Sequence, residues 1–205
     1  EWIKAIAKDL VNHYIDKILP EEFKAQVVAS SRKAAVIYQK YIREAIQQRL
    51  EKERNNPQKD QELIQKIEFM KTAVVISSDN NDPPEMVRAC KHAKRVNAVN
   101  NFKKSFKFDG DGKDKRTGIA FLIVCDRLLT GFDAPIEQVM YIDKKMKEHN
   151  LLQAIARVNR IAEGKNYGLI VDYIGLGNHL QEALQIYSAD EEDTTDAMES
   201  LESEI

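Results

Sequence analysis

Cysteine is nearly missing: Cys90 and Cys125 are the only two in 205 residues, and they stand in unrelated contexts. A disulfide framework needs a denser set in a short secreted chain, and a zinc site needs CxxC or paired-histidine spacing. Neither pattern occurs. His13, His92, His149 and His179 are scattered singly, so they suggest no metal site, and a reducing cytoplasm is the expected compartment. No apolar run reaches the roughly 18 residues that a membrane-spanning helix requires, and no secretory signal is visible. An excess of one charge is missing as well, since 31 Lys and Arg face 33 Asp and Glu for a formal net charge of −2. Such balance argues against a free-standing nucleic-acid binder, which usually carries a basic surplus, while leaving room for a local basic groove. An initiating Met is absent too. The chain opens at Glu1-Trp2-Ile3, already in helical spacing, and is expected to be a piece of a longer protein.

What is present suits a folded core. Hydrophobic residues make up 43% and charged residues 31%, ordinary for a globular chain, and the length fits one domain with appendages. Ile3, Ile6, Leu10, Tyr14 and Ile18 recur at helix spacing, with Ala7, Val11 and Ile15 beside them; Pro20 stops that helix. Ala25 to Ala29 is short and β-branched, a strand feeding Ser30-Ser31, whose hydroxyls can cap a long helix carrying Ala34, Ile37, Tyr38, Tyr41, Ile42, Ala45 and Ile46. Arg49 to Gln61, around Asn55-Asn56-Pro57, reads as an exposed excursion. A second strand, Thr72 to Ser77, runs into the turn signal Asp79 to Pro84, and a Lys-, Arg- and Asn-rich helix follows from about Glu85 to Phe106. Those cations read as a solvated helix face in preference to a basic surface. After a polar loop from Phe108 to Thr117, Gly118 to Cys125 is almost wholly apolar, as in a parallel strand buried on both faces. Val139 to Ile142 and Tyr167 to Val171 read as further strands, separated by a helix from about Leu151. A helix over Asn178 to Tyr187 and an acidic stretch from Asp190 to Glu204 complete the chain.

Strands alternating with helices predict an α/β fold with a mostly parallel sheet flanked by helices. The expected division is a leading helix over 1–20, the sheet domain over 21–187 and a flexible acidic tail over 188–205. In such sheets ligands gather at the carboxyl ends of strands. There the sequence offers Cys125-Asp126 and a loop ending Thr130-Gly131-Phe132-Asp133-Ala134-Pro135. Gly131 permits a close backbone approach, Asp133 can accept hydrogen bonds from hydroxyls such as those of a ribose, and Pro135 fixes the exit. A strand-ending turn that merely contains these residues fits equally well.

Leu151 to Arg160 is more informative. At about 100° per residue, Leu151, Ile155, Val158 and Ala162 share one arc, while Gln153, Arg157 and Arg160 share another roughly opposite. Two arginines at i and i+3 repel unless an anion or carboxylate lies between them. Guanidinium groups match phosphate oxygens and stay charged, so a triphosphate is an apt partner. Taken alone, the spacing favours a solvated charged face. Joined in order to the Gly-x-Asp-x-Pro loop on one α/β domain, it points to a nucleotide.

These segments resemble the C-terminal RecA-like domain of superfamily 2 helicases. Val124 to Pro135 is similar to motif V, Gln153, Arg157 and Arg160 match motif VI, and Val27 to Arg32 is similar to motif IV. The wording from Leu128 to Pro135, from Leu151 to Arg160 and in Gly168 to Gly175 resembles more closely the motor subunit of type I restriction enzymes. The likeness covers about Glu1 to Tyr187. It implies a RecA-like three-layer domain, half of an ATP-dependent DNA translocase. A first RecA-like domain of the parent chain would supply the phosphate loop and hold Mg²⁺, and this domain would supply Arg157 and Arg160 to ATP across the cleft. By the same likeness Gly131, Asp133 and Gln153 would contact or couple to the nucleotide, and Ser31, Arg32 and Thr130 would touch the backbone of double-stranded DNA. Methyltransferase and specificity subunits are the implied partners, and the parent is implied to be an ATP-dependent deoxyribonuclease. Cys125 stands where many relatives carry Thr, which weakens any nucleic-acid role there. No GxxxxGK[ST] segment occurs, nor a convincing nuclease constellation, so the chain alone is expected to lack ATPase and nuclease activity. Another superfamily 2 helicase, or a non-catalytic α/β interaction module, remains an alternative.

Overall fold

The computed structural model describes residues 1–110, 113–128 and 132–175. Thr130, Gly131, the helix expected over 178–187 and the acidic tail lie outside those residues. Five parallel strands, β1 (Lys24–Ala29), β2 (Lys71–Val75), β3 (Ile119–Val124), β4 (Glu137–Asp143) and β5 (Leu169–Asp172), lie in the order β2-β3-β1-β4-β5. The helices are α1 (Trp2–His13), α2 (Arg32–Arg54), α3 (Gln61–Phe69), α4 (Pro84–Arg95), α5 (Ala98–Phe102) and α6 (Glu148–Val158). Every residue of β1, β3 and β4 is buried. That is why those strands read as continuous apolar runs: helices cover both faces.

Side chains alternate across the sheet and so build two cores. Ala25, Val27, Phe121, Ile123, Val139 and Tyr141 pack with Leu10, Tyr14, Tyr38, Ile42 and Ile67 of α1 to α3 and the turn after α1. Val28, Leu122, Val124, Met140 and Ile142 face the other way, onto Ala98 and Phe102 of α5 and Leu151, Ala154 and Val158 of α6. The result is a three-layer α/β domain.

Right-handed crossovers then decide where the functional segments fall. The β3–β4 connection must travel from the carboxyl edge of the sheet back to the amino edge, skipping one strand position. Among its described residues it contains no helix, and Leu128, Phe132 and Ala134 are laid into the second core. Likewise α6, bridging parallel β4 and β5, runs antiparallel to them, so its last turn lies at the amino edge.

Local chemistry explains the other boundaries. Ser31 caps α2 as expected, its Oγ accepting from the Ala34 amide at 3.0 Å. The α2 helix continues past Arg49 to Arg54, and Asp60 caps α3 by accepting from the Leu63 amide at 3.0 Å. The expected excursion is therefore shorter than the sequence suggested, because the charged end of α2 is held by buried Leu50 and by Arg49 paired with Asp16 and Glu53. The helix expected to run through 106 is broken at Asn97, which adopts left-handed backbone angles (φ 44°). Asn tolerates that conformation better than most residues. The α1 helix is bonded to the sheet as well as packed on it. Trp2 Nε1 donates to Asp143 at 3.3 Å and His13 Nδ1 lies 2.7 Å from the Tyr141 hydroxyl, while from α2 Tyr38 Oη donates to the same Asp143 at 2.6 Å.

Candidate functional site

The last turn of α6 and the returning β3–β4 connection meet at the amino edge of β4. Arg157 Nη1 donates to the carbonyls of Leu128 at 2.8 Å and Phe132 at 2.6 Å. One guanidinium thus spans both ends of the short segment that contains Thr130 and Gly131. Its Nε is buried and unpaired, and desolvation holds its pKa below the ordinary arginine value, with Arg160 adding to that and Glu137 and Asp133 opposing it. Arg160 differs. Its Nε lies 3.7 Å from Asp133 Oδ1, and both side chains are about 60% exposed. Spacing placed Arg157 and Arg160 on one helical arc, but α6 ends at Val158, so Arg160 lies in the turn beyond the helix, and their surroundings diverge: Arg157 is occupied with backbone carbonyls, and Arg160 faces solvent beside Asp133. Gln153, one turn earlier, places Nε2 2.9 Å from His149 Nε2 and leaves Oε1 buried and unpaired.

Sequence reasoning missed two residues beneath this cluster. Glu137 is fully buried at the start of β4, and burial pushes its carboxyl up to about 8 against the pull of Arg157 and Lys165. Lys165 Nζ donates to the carbonyls of Glu137 at 2.7 Å, Arg160 at 3.0 Å and Pro135 at 3.2 Å, tying the end of α6 to the start of β4. Glu137 was hidden because the apolar signal for β4 begins only at Val139. Nothing local marks Lys165.

The raised Glu137 pKa predicts a pH effect. The fold favours the protonated acid, so that contribution is complete below the ordinary glutamate range and is lost as pH rises through about 8. Its slope reaches at most about 1.4 kcal/mol per pH unit. Glu137→Gln should remove this slope. Urea midpoints at pH 5 and pH 8 should draw apart less in the variant than in the wild-type chain; an unchanged gap rules the mechanism out.

Ser31 and Arg32 lie at the opposite, carboxyl edge, just after β1, far along the strands from the α6 cluster. Arg32 is ion-paired with Asp82, whose carboxyl is held below its ordinary value first by the Asp79 amide and then by Arg32. Ser31 serves as the helix cap. At the same edge Lys144 pairs with Asp126 and donates to Cys125 Sγ at 3.5 Å. Burial pushes the Cys125 thiol up, so it is a poor nucleophile. Thr130 and Gly131 lie outside the described residues. Among those residues no helix is long and apolar enough to cross a membrane.

An all-parallel, helix-flanked sheet, with Gln153 and Arg157 on α6, Arg160 just beyond its end and the Phe-Asp-Ala-Pro segment against them, defines a three-layer domain of the RecA-like class. A family model described as type I restriction enzyme subunit R domain 3 matches residues 7–175, and the chain belongs to that family. It is 36% identical over 192 residues to the HindI endonuclease subunit of Haemophilus influenzae, covering 92% of this chain and 16% of that one. It is 38% identical over 89 residues to the SauCOLORF180P endonuclease subunit of Staphylococcus aureus strain COL, covering 43% of this chain and 10% of that one. A solved fragment assigned to an HsdR subunit of a type I restriction enzyme from Vibrio vulnificus YJ016 has the same fold, with a TM-score of 0.51 and 16% identity over 86% of this chain and 28% of that one. The chain thus spans less than a fifth of the curated relatives it matches.

Proposed function

We propose that this chain is the second motor domain of the ATP-dependent DNA translocase subunit of a type I restriction enzyme, supplying arginines to an ATP site completed by a first motor domain. The observation that carries the reading is the division of labour at the end of α6. Arg157 fixes the loop through two carbonyls, and Arg160 stands exposed beside Asp133. Ile161 follows with 94% of its surface open, an apolar side chain suited to burial against a facing domain. In this reading Arg160 meets the negative charge that spreads over phosphoryl oxygens during transfer. Asp133 holds it in place until then and accepts from nucleotide hydroxyls, and Gln153 couples the nucleotide to the facing domain. Arg157 is a positioning residue, setting the loop that contains Gly131. Mg²⁺ belongs to the first domain, and double-stranded DNA, the methyltransferase and the specificity subunit are the partners of the assembled enzyme.

The test is ATP hydrolysis by the full-length subunit. Arg157→Ala should lower turnover and also lower the thermal midpoint, because it frees two buried carbonyls. A drop in midpoint with turnover intact would make Arg157 structural only. Near-normal turnover in both Arg157→Ala and Arg160→Ala overturns the motor reading, as would a parent sequence without a phosphate-binding loop upstream.

A further inference from the structure

A concentration of cationic side chains lies elsewhere, at the amino end of the edge strand β2. A pocket of about 570 Å³ opens between α2, the α4–α5 break and the start of β3. Arg43, Lys71, Arg95, Lys104, Lys115 and Arg116 line it, and among the described residues no carboxylate does. Its floor is apolar, with Ile46, Met70 and Ile119, and its wall offers the amides of Gln47, Asn97 and Asn101. A second groove of about 730 Å³ shares Arg43, His92 and Arg95 and continues between α2 and α4 past Lys40, Arg88 and Lys91, with Glu44 and Glu85 its only acids among the described residues. The two openings form one cationic tract.

The charges crowd one another. Arg43 Nε donates to the Thr72 hydroxyl at 3.0 Å and Lys71 Nζ to the Lys115 carbonyl at 3.0 Å, neither of which neutralises charge. Among the described residues only Arg116 of the six is ion-paired, with Asp114, which sits outside the lining and also attracts Lys71 and Lys104 at longer range. His92 is held below its ordinary pKa by desolvation and then by Arg43 and Arg95, and its Nδ1 is buried without a hydrogen bond. Like charges gathered around a concave surface raise the local potential and attract a polyanion. Arginines supply planar forks for phosphate oxygens.

We propose that this tract binds the phosphate backbone of a nucleic acid, independently of sequence. A strand suits it better than a lone phosphate, because the cations continue from the pocket along the adjoining groove, matching the spaced charges of a polymer. Ser31 and Arg32 line neither opening, although the far end of the groove, at Val36 and Glu85, approaches the turn where Arg32 pairs with Asp82. The inference deepens the translocase reading by adding a second contact to the DNA path, but it is tested by binding alone.

The experiment is fluorescence anisotropy of a labelled duplex oligonucleotide of arbitrary sequence with the 205-residue chain, over a series of salt concentrations. Arg95 and Lys104 are exposed, so Arg95→Glu with Lys104→Glu should leave the thermal midpoint unchanged. That pair should weaken binding by at least about tenfold and reduce the slope of log affinity against log salt by about 2. Lys4→Glu with Lys8→Glu on α1 makes the same charge change away from the tract and should have a small effect. Equal losses from both pairs overturn the proposal in favour of diffuse charge. No duplex binding by the wild-type chain overturns it outright. Competition by polyglutamate more effective than by unlabelled DNA would assign the tract to an acidic protein segment, and displacement by millimolar inorganic phosphate would reduce it to a single-anion site. Because ATP hydrolysis is not measured, a failure here leaves the motor reading standing, and the reverse also holds.

Discussion

In the full-length subunit, Arg160→Ala is expected to lower the turnover number for ATP by about 10³- to 10⁵-fold, the size typical of a lost arginine finger, with a far smaller change in KM. At rest Arg160 is only weakly held. Its partner Asp133 is 3.7 Å away and both groups are largely exposed, so the pair is screened and contributes no more than about 1 kcal/mol. Releasing Arg160 toward a phosphate costs little, and removing it should hardly change folding. Its effect should appear only as charge develops on the transferred phosphoryl group. A fall in kcat with KM preserved is the signature of an interaction made in the transition state. A rise in KM with kcat preserved would instead assign Arg160 to ground-state binding. Arg160→Lys should restore little, since an ammonium lacks the planar fork.

The contrast between the two arginines marks the limit of what the sequence discloses. Period and spacing are local, so they placed Gln153 and Arg157 on α6 and found Ser31 as a cap, but they carried the helix on to Arg160, two residues past its end at Val158. Burial on both faces made β1 and β3 readable as apolar runs. Which carbonyls Arg157 meets depends on a loop that returns across the sheet from residue 128 to residue 132, and that return follows from strand order, which no local pattern encodes. For the same reason the sequence suggested chemistry at the carboxyl edge, whereas the end of α6 and Asp133 gather at the amino edge. Glu137 escaped notice because a buried acid at a strand start looks like a turn residue. The cations of α4 read as a solvated face because Arg43, Lys71 and Lys115, which turn that face into a tract, come from three other segments.

The second large effect concerns Gly168, where β5 begins against the end of α6. A Cβ built there would lie 2.2 Å from the Val158 carbonyl oxygen, 2.3 Å from its carbon and 2.8 Å from the Asn159 nitrogen. All three are backbone atoms, so no rotamer change relieves the clash; the helix end itself must move. Gly164 and Gly175 make the comparison, since each has positive φ and open space around it. Gly168→Val is therefore expected to destabilise the domain by about 3 kcal/mol, at the upper end of ordinary overpacking costs, read as a lower urea midpoint. Any variant that still folds must displace the turn carrying Arg157 and Arg160, because Asn159 and Arg160 bond back to Ile155 and Arg157 at 3.2 Å each. ATP turnover in the full-length subunit should then fall by more than the loss of folded protein explains. A Gly168→Val variant with wild-type midpoint and turnover would show that the strand can slide away from the helix end, and that the close approach at Gly168 does not hold the arginines in place.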